Sequence, residues 1–350
     1  MLEADPAAQT ATAPAVDAAA QTADQGAPIT EDQAGRVAAL GAEIGHEIDR
    51  VLEGKARAVR LAVTVLLADG HLLLEDVPGV GKTLLAKALA AALGARRSRI
   101  QFTPDLLPGD ITGASIYDQS TGSFTFRRGA VFTHILLADE INRASPKTQS
   151  ALLESMEERQ VSVDGTTYEL DSPFMVIATA NPVEMEGTYH LPEAQRDRFL
   201  AQISLGYPGH EAELRMLAAQ TAPLPQDHRE PVQQIRARTS PAEVAQLIRL
   251  TRRVHASPAL LDYIVRLAAA TRGHGQVVLG ASPRAAVHLV RMLKAAAALD
   301  GRTYVVPEDV RQLIGPVWRH RLHLSPQALS RGVSAADVLR DVLASTPLNR

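Results

Sequence analysis

Gly79-Val80-Gly81-Lys82-Thr83 lies between a short apolar run, His71 to Leu74, and a helical apolar pattern from Leu84 to Leu93 that Gly94 ends. A glycine-rich turn at such a junction aims backbone N–H groups and a helix N-terminus at one point, which attracts phosphate. Lys82 can reach β- and γ-phosphates there, and Thr83 can ligate Mg2+. Pro78, Gly79, Val80, Gly81, Lys82, Thr83 and Leu84 are therefore candidate nucleotide contacts. The pattern G-x-x-x-x-G-K-[ST] lacks its first glycine, because Asp76 occupies that position. The position is the one farthest from the Gly-Lys-Thr core, and Pro78 can help set the turn by fixing its own φ. An Asp is tolerable there if its carboxylate turns away from phosphate.

A second motif raises this loop above a chance turn before a lysine. "HILLADEINRA" reads as an apolar strand ending in Asp139-Glu140. Successive strand residues face opposite sides, so one of the two carboxylates can serve a Mg2+ shell while the other meets a different partner, such as an attacking water. No Asn-Lys-x-Asp guanine-reading stretch occurs, which favours ATP over GTP. "FMVIATANP" is a further buried strand with Asn181 at its carboxyl end, the edge where ligands bind in open α/β sheets. An amide there can orient a water or touch a γ-phosphate; a plain Asn-Pro turn is the competing reading. In "LPEAQRDRF", Arg196 and Arg198 precede a strand, and an arginine so placed can act on a neighbouring subunit's nucleotide or merely close a charged helix end. Arg284, in "GASPRAAVHL", falls in the first turn of a helix, where a cation opposes the helix dipole at a cost of about 0.3 to 1 kcal/mol. A nearby anion, whether phosphate or carboxylate, would remove that cost. His320 and His323 have i,i+3 spacing, but no acid is patterned beside them, which argues against a metal site.

These residues need a scaffold. His134 to Ala138 and Phe174 to Ala178 are apolar without clean alternation, as strands covered on both faces of a parallel sheet are. Ile100 to Thr103 and Phe199 to Leu205 are weaker strands, and two hairpins are expected, Ser115 to Phe126 and Val161 to Leu170, the latter turning at Asp164-Gly165. Thr30 and Gln33 have capping-box spacing, and Val37, Leu40, Ile44, Ile48 and Val51 extend a helix toward Gly54. After Tyr207-Pro208-Gly209 the strand signals stop, and Ser240-Pro241, Ser282-Pro283, Pro307 and Ser334 each open a helix. The expected organisation is a disordered Ala/Thr/Pro-rich tail over 1–29, an α/β nucleotide domain with a parallel sheet over 30–207, and a small helical domain over 208–350.

Composition bounds the function. A chain of 350 residues, 46% hydrophobic, can bury a full core. The net charge is −3 and its paired arginines are scattered, which argues against a nucleic-acid footprint. Without cysteine there is no disulfide framework, thiolate metal site or Cys nucleophile. The acidic N-terminus is unlike a secretory signal, and no apolar run reaches the ~18 residues of a membrane span, so the expected compartment is the cytoplasm without direct membrane insertion.

Taken together, "LEDVPGVGKT", "HILLADEINRA", "FMVIATANP", "LPEAQRDRF" and "GASPRA" resemble the MoxR family of AAA+ ATPases, over nearly all of residues 34 to 325. The resemblance implies a P-loop αβα sandwich with β-hairpin inserts, a helical lid, and a hexameric ring with ATP at subunit interfaces. It assigns Lys82 and Thr83 to the phosphate loop, Asp139 to Mg2+, Glu140 to water activation, Asn181 to the first sensor, Arg198 to the finger acting on the next subunit, and Arg284 to the second sensor. It further implies a chaperone that remodels, assembles or activates a partner protein complex, sometimes with metal insertion, beside a protein bearing a von Willebrand factor A domain. Ala180 and Arg196 depart from the family's frequent Gln and Leu, which leaves Arg196 as a second candidate finger. A chelatase-like or helicase-like motor, or an ATP-dependent docking switch, are the alternatives.

Overall fold

The computed structural model describes residues 27–120, 122–180, 191–221 and 231–348. Thr121 and Asn181 lie outside them. Helix α1 (Glu31–Asp49) starts at a capping box, in which Gln33 N donates to Thr30 Oγ1 at 3.3 Å and Thr30 N donates to Gln33 Oε1 at 3.1 Å. It ends at Asp49, short of Val51, which the apolar spacing had included. Helix α2 (Ala56–Leu67) carries no start signal in the sequence, because its N-cap, Lys55, makes no side-chain capping bond.

There follow β1 (Leu72–Glu75), α3 (Lys82–Ala92), β2 (Arg97–Gln101), α4 (Pro108–Thr112), β3 (Gly113–Asp118), β4 (Ser123–Arg128), β5 (Ile135–Asp139), α5 (Pro146–Glu158), β6 (Gln160–Val163), β7 (Thr166–Glu169), β8 (Met175–Ala180), α6 (Glu193–Arg196) and β9 (Ala201–Ile203). Five strands form a parallel sheet in the order β2-β5-β8-β1-β9. β1 leads across to β2 at one edge of the sheet and β8 to β9 at the other, so the connections from these two neighbours run in opposite directions, and the carboxyl ends of the strands are where open α/β sheets bind ligands.

Alternate residues feed two cores. Leu72, Leu74, Ile135, Leu137, Met175 and Ile177 face one side, while Leu73, Leu136, Ala138, Val176 and Ala178 face the other. The first core is shared with α1, α2, α3 and the C-terminal helices; the second is filled by Leu152, Leu153 and Met156 of α5 and by Phe102, Phe174 and Phe199. Because both faces are covered, the inner strands read as continuous apolar runs. The edge strand β2 reads poorly for the opposite reason: Arg97 and Arg99 are exposed and only Ile100 is buried, so only its end looked like a strand.

Both hairpins form. β3 pairs antiparallel with β4, and β6 with β7 through Asp164 (φ 50°) and Gly165 (φ 78°), the two left-handed residues a type I′ turn needs. Phe126 of β4 stacks on Tyr168 of β7 with ring centres 4.1 Å apart, joining the hairpins, while Tyr117 and Phe124 stay exposed.

Beyond β9 the chain is mainly helical: α7 (His210–Thr221), α8 (Pro241–Arg252), α9 (Pro258–Gly273), α10 (Pro283–Leu299), α11 (Pro307–Trp318), α12 (Pro326–Ser330) and α13 (Ala335–Ser345). Ser240, Ser257, Ser282, Ser325 and Ser334 each accept a first-turn N–H. A small antiparallel pair, β10 (Val277–Leu279) with β11 (His323–Leu324), interrupts these helices. Strands this short carry no readable periodicity, which is why the sequence showed no strand signal past 209. Helix α1 lies against α10 so closely that a Cβ at Gly41 would overlap Leu299 Cδ2. The buried Glu47 of α1 accepts from Arg236 N at 3.2 Å and Arg238 Nε at 3.0 Å, and the Arg238 guanidinium holds its pKa down at about 2. No helix among the described residues is long and apolar enough to cross a membrane.

Candidate functional site

A cleft of about 490 Å³ opens at the carboxyl edge of the sheet, lined by Pro78, Gly79, Gly81, Lys82, Thr83 and Leu84. Gly79 (φ 83°) and Gly81 (φ 101°) are left-handed, a conformation that favours glycine, and a Cβ at Gly81 would stand 3.0 Å from Leu52 Cδ1. Gly81 caps α3 without any side-chain bond, so the first N–H groups of that helix face the cleft and fit an anion. Val80 is not part of the lining; its side chain is buried in the first core. Lys82 Nζ donates to Asp76 O at 2.7 Å.

Asp139 and Glu140 enter the same cleft from the end of β5. The strand stops at Asp139, and Glu140 is left-handed at φ 56°. The two carboxylates therefore part through a backbone turn and not through the strand alternation expected from the sequence. A non-glycine residue in this region costs of order 1 kcal/mol or more and is held only where neighbours fix it. Thr179 is such a neighbour: its hydroxyl accepts from Glu140 N at 2.9 Å and donates to Asp139 Oδ1 at 3.3 Å. Arg99 Nε donates to Asp139 Oδ2 at 2.7 Å, and Glu140 Oε2 accepts from Gln101 Nε2 at 2.7 Å and Arg143 Nη1 at 2.8 Å. Thr83 and Asp139, both oxygen donors on this cleft, suit a hard divalent cation bound with phosphate. Pro231 and Val232, just before the C-terminal helices, close one wall.

Arg198 and Arg284 are elsewhere. They line a second cleft of about 300 Å³ with Asp69, His71, Glu157, Arg159, Arg252, His288 and Arg291. Asp69 to His71 immediately precede β1 and Leu200 precedes β9, so this cleft lies at the amino edge of the sheet, opposite the phosphate loop. Arg198 donates to Leu153 O at 2.8 Å and pairs with Glu157 Oε2 at 2.9 Å; Arg284 bonds the other oxygen of Glu157. The anion that offsets Arg284 at the start of α10 is thus Glu157 in this chain. Asp69, itself left-handed, pairs with Arg159 at 2.9 Å and Arg252 at 2.7 Å. Arg196 does not line either cleft.

Burial pushes the pKa of His71 well down, and its ring is fixed between Met156 O (3.0 Å) and Val176 N (3.0 Å). Burial and the nearby Arg321 lower His288 to about 2. His320 is buried against Phe199 O at 3.3 Å, whereas His323 lies on β11, 3.2 Å from Glu193, so the i,i+3 pair does not converge. Asn181 falls outside the described residues. The sequence reading missed Thr179, Gln101, Arg99 and Glu157; none has a local motif, and each matters only through the residue that the fold brings to it.

The arrangement, a glycine loop capping a helix beside an acid pair at the carboxyl edge of a five-stranded parallel sheet, with a helical region following, is that of an AAA-type nucleotide-binding protein. The profile of the ATPase family associated with various cellular activities (AAA) matches residues 71–201, and that of the AAA lid domain matches residues 269–342. The chain is 42% identical to the chaperone MoxR1 of Mycobacterium tuberculosis, over 92% of this chain and 87% of that protein. It is 47% identical to the uncharacterized protein YeaC of Bacillus subtilis, over 87% and 93%, and 34% identical to the protein MoxR of Paracoccus denitrificans, over 85% and 93%. The crystal structure of a presumed ATPase from Cytophaga hutchinsonii superposes with a TM-score of 0.83 at 36% identity, covering 95% of this chain and 99% of that one. This chain belongs to the MoxR family of AAA+ ATPases.

Proposed function

We propose that the chain hydrolyses ATP at the interface between two copies of itself and uses the resulting motion to remodel a partner protein complex. What carries this reading is the separation of the two clefts. The phosphate loop and acid pair lie at one edge of the sheet, and Arg198 and Arg284 at the other, so one subunit's arginines face away from its own loop. A head-to-tail contact brings one edge against the other, and such contacts close into rings; six copies is the count the family resemblance implies.

In this reading Lys82 and the N–H groups at the start of α3 hold the phosphates. Thr83 and Asp139 would hold Mg2+, which supplies charge neutralisation between the phosphates. Glu140 takes a proton from the attacking water, and its route to that water requires release from Gln101 and Arg143. Arg198 and Arg284 of the adjoining copy, exchanging Glu157 for phosphate, offset the charge that develops on the transferred group. Asn181 serves as the first sensor. The exposed Tyr117 and Phe124 on the β3–β4 hairpin are the groups that would meet a client. The chaperone name of a close relative supports a remodelling role, and a partner bearing a von Willebrand factor A domain and metal insertion follow from the family resemblance.

Mixing two inactive variants tests the interface. Arg198→Ala retains the loop and base, and Glu140→Gln retains the arginines, so mixed assemblies contain some complete sites. Recovery of ATP turnover on mixing is expected; no recovery in a mixture that co-assembles would exclude arginine action across the interface.

A further inference from the structure

Asp76 breaks the glycine pattern, and its surroundings give the side chain a role. It is 7% exposed. Its carboxylate accepts from Ser204 Oγ at 2.7 Å, Leu205 N at 2.5 Å and Gly206 N at 3.2 Å. These residues follow β9 directly, where the chain leaves the sheet for α7 and the helical region. From the other side the buried Lys55 Nζ donates to Gly206 O at 2.9 Å and Tyr207 O at 2.7 Å. Segment 204–207 is therefore gripped through its N–H groups by a carboxylate and through its carbonyls by an ammonium.

The backbone of Asp76 faces the phosphate loop, where its carbonyl accepts from Lys82 Nζ at 2.7 Å. One residue thus joins the phosphate-reaching lysine, through its main chain, to the exit of the sheet, through its side chain. A glycine at this position would complete the loop pattern but could not hold segment 204–207. Bonds to a charged acceptor are among the stronger ones, and a buried carboxylate that loses its donors is left with a large desolvation cost.

We propose that Asp76 is a positioning residue that couples occupancy of the phosphate loop to segment 204–207. The proposal rests on the ATP reading above. Phosphate draws the Lys82 ammonium off the Asp76 carbonyl; the Asp76 peptide is then free to shift, and its carboxylate loosens its hold on Leu205 and Gly206. The lid-ward chain thereby senses whether the loop is filled.

The test combines binding of Mg-ATPγS with hydrogen exchange of the peptide spanning 203–209, on the full chain. In the unsubstituted protein, exchange at this peptide is expected to rise at least threefold when the analogue binds. In Asp76→Asn, exchange is fast with or without the analogue and the nucleotide-dependent difference vanishes, while the analogue's Kd stays within threefold and kcat for ATP falls about tenfold. Lys55→Met, which loosens the same segment without touching the loop, accelerates exchange in both states but keeps the difference; a merely structural role for Asp76 would make the two variants behave alike. Ser204→Ala removes one donor and leaves Asp76 in place, so a roughly halved difference there keeps the coupling testable if Asp76→Asn does not fold. Persistence of the full difference in Asp76→Asn, or its absence in unsubstituted protein that binds the analogue, overturns the coupling. If unsubstituted protein does not bind the analogue at all, the ATP reading itself fails.

Discussion

The two clefts are built from opposite materials. At the carboxyl edge, charge is mixed: Lys82, Lys87 and Arg99 stand with Asp139 and Glu140, and much of the lining is backbone of a glycine turn. At the amino edge five arginines, 159, 198, 252, 284 and 291, crowd around two acids, Asp69 and Glu157. Arg159 and Arg291 are committed to the fold, through Asp69 O and the carbonyls of Phe174 and Ala68. Arg198 and Arg284 share one carboxylate, Glu157, and Arg198 donates in addition to Leu153 O. The first cleft thus mixes both signs of charge around a glycine turn, whereas cations dominate the second.

Perturbations of each side sharpen that contrast. The largest effect belongs to Glu140→Gln, expected to lower ATP turnover by about 100-fold or more, the usual weight of a general base, with ATP affinity within about threefold; steady-state kinetics beside equilibrium binding checks both. Arg198→Ala is expected to lower turnover by roughly 100-fold, the weight of one donor to developing charge, while nucleotide affinity of the dilute, unassembled subunit stays unchanged. A loss of affinity in that dilute subunit would place the arginine in its own chain's site and collapse the distinction between the clefts.

A pH effect singles out the amino edge. His71 and His288 are kept neutral by burial next to arginines, so their folded pKa values lie below the ordinary value near 6.5. The unfolded chain then binds more protons below that pH, and stability is present above about 6.5 and falls as the pH drops. With His288 lowered to about 2, that group alone accounts for about 2 kcal/mol lost between neutrality and pH 5. Thermal unfolding across pH 5 to 7.5 should show this loss, and His288→Gln should flatten it.

The smallest effect is expected from Glu157→Gln. Its two ion pairs are half-exposed, so the subunit should lose under about 1 kcal/mol of stability. Freed from that carboxylate, Arg198 and Arg284 should favour nucleotide-dependent assembly, raising the assembled fraction seen by light scattering at a given concentration. A fall in that fraction would mean that Glu157 orders the arginines for their partner and does not restrain them.

How legible each cleft was in the sequence follows from how each is made. The phosphate loop is contiguous, and the acid pair ends an apolar run buried on both faces, so both stood out as strings. The amino-edge cleft gathers the residue before β1, the end of α5, the approach to β9 and the start of α10, and no local pattern marks Glu157 as the carboxylate that meets Arg198 and Arg284. Arg284 was readable only as an electrostatic misfit at a helix start. Thr179 and Gln101 were invisible because a hydroxyl on an inner strand and an amide on an edge strand acquire a role only when strand order places them beside Asp139 and Glu140. The inner strands were visible through their apolar runs, whereas α2 lacked a capping signal and β10 and β11 were too short.

Helix α1 deserves a mechanical reading. It rests on α10 at Gly41, and through Glu47 it grips the residues that lead into α8, while its inner face shares a core with the sheet. Sliding of the helical region over the sheet would shear along this seam, where Gly41 permits the close approach of α10. A single methyl added at residue 41 would meet the terminal methyl of Leu299, so either that side chain turns aside or α1 lifts from α10.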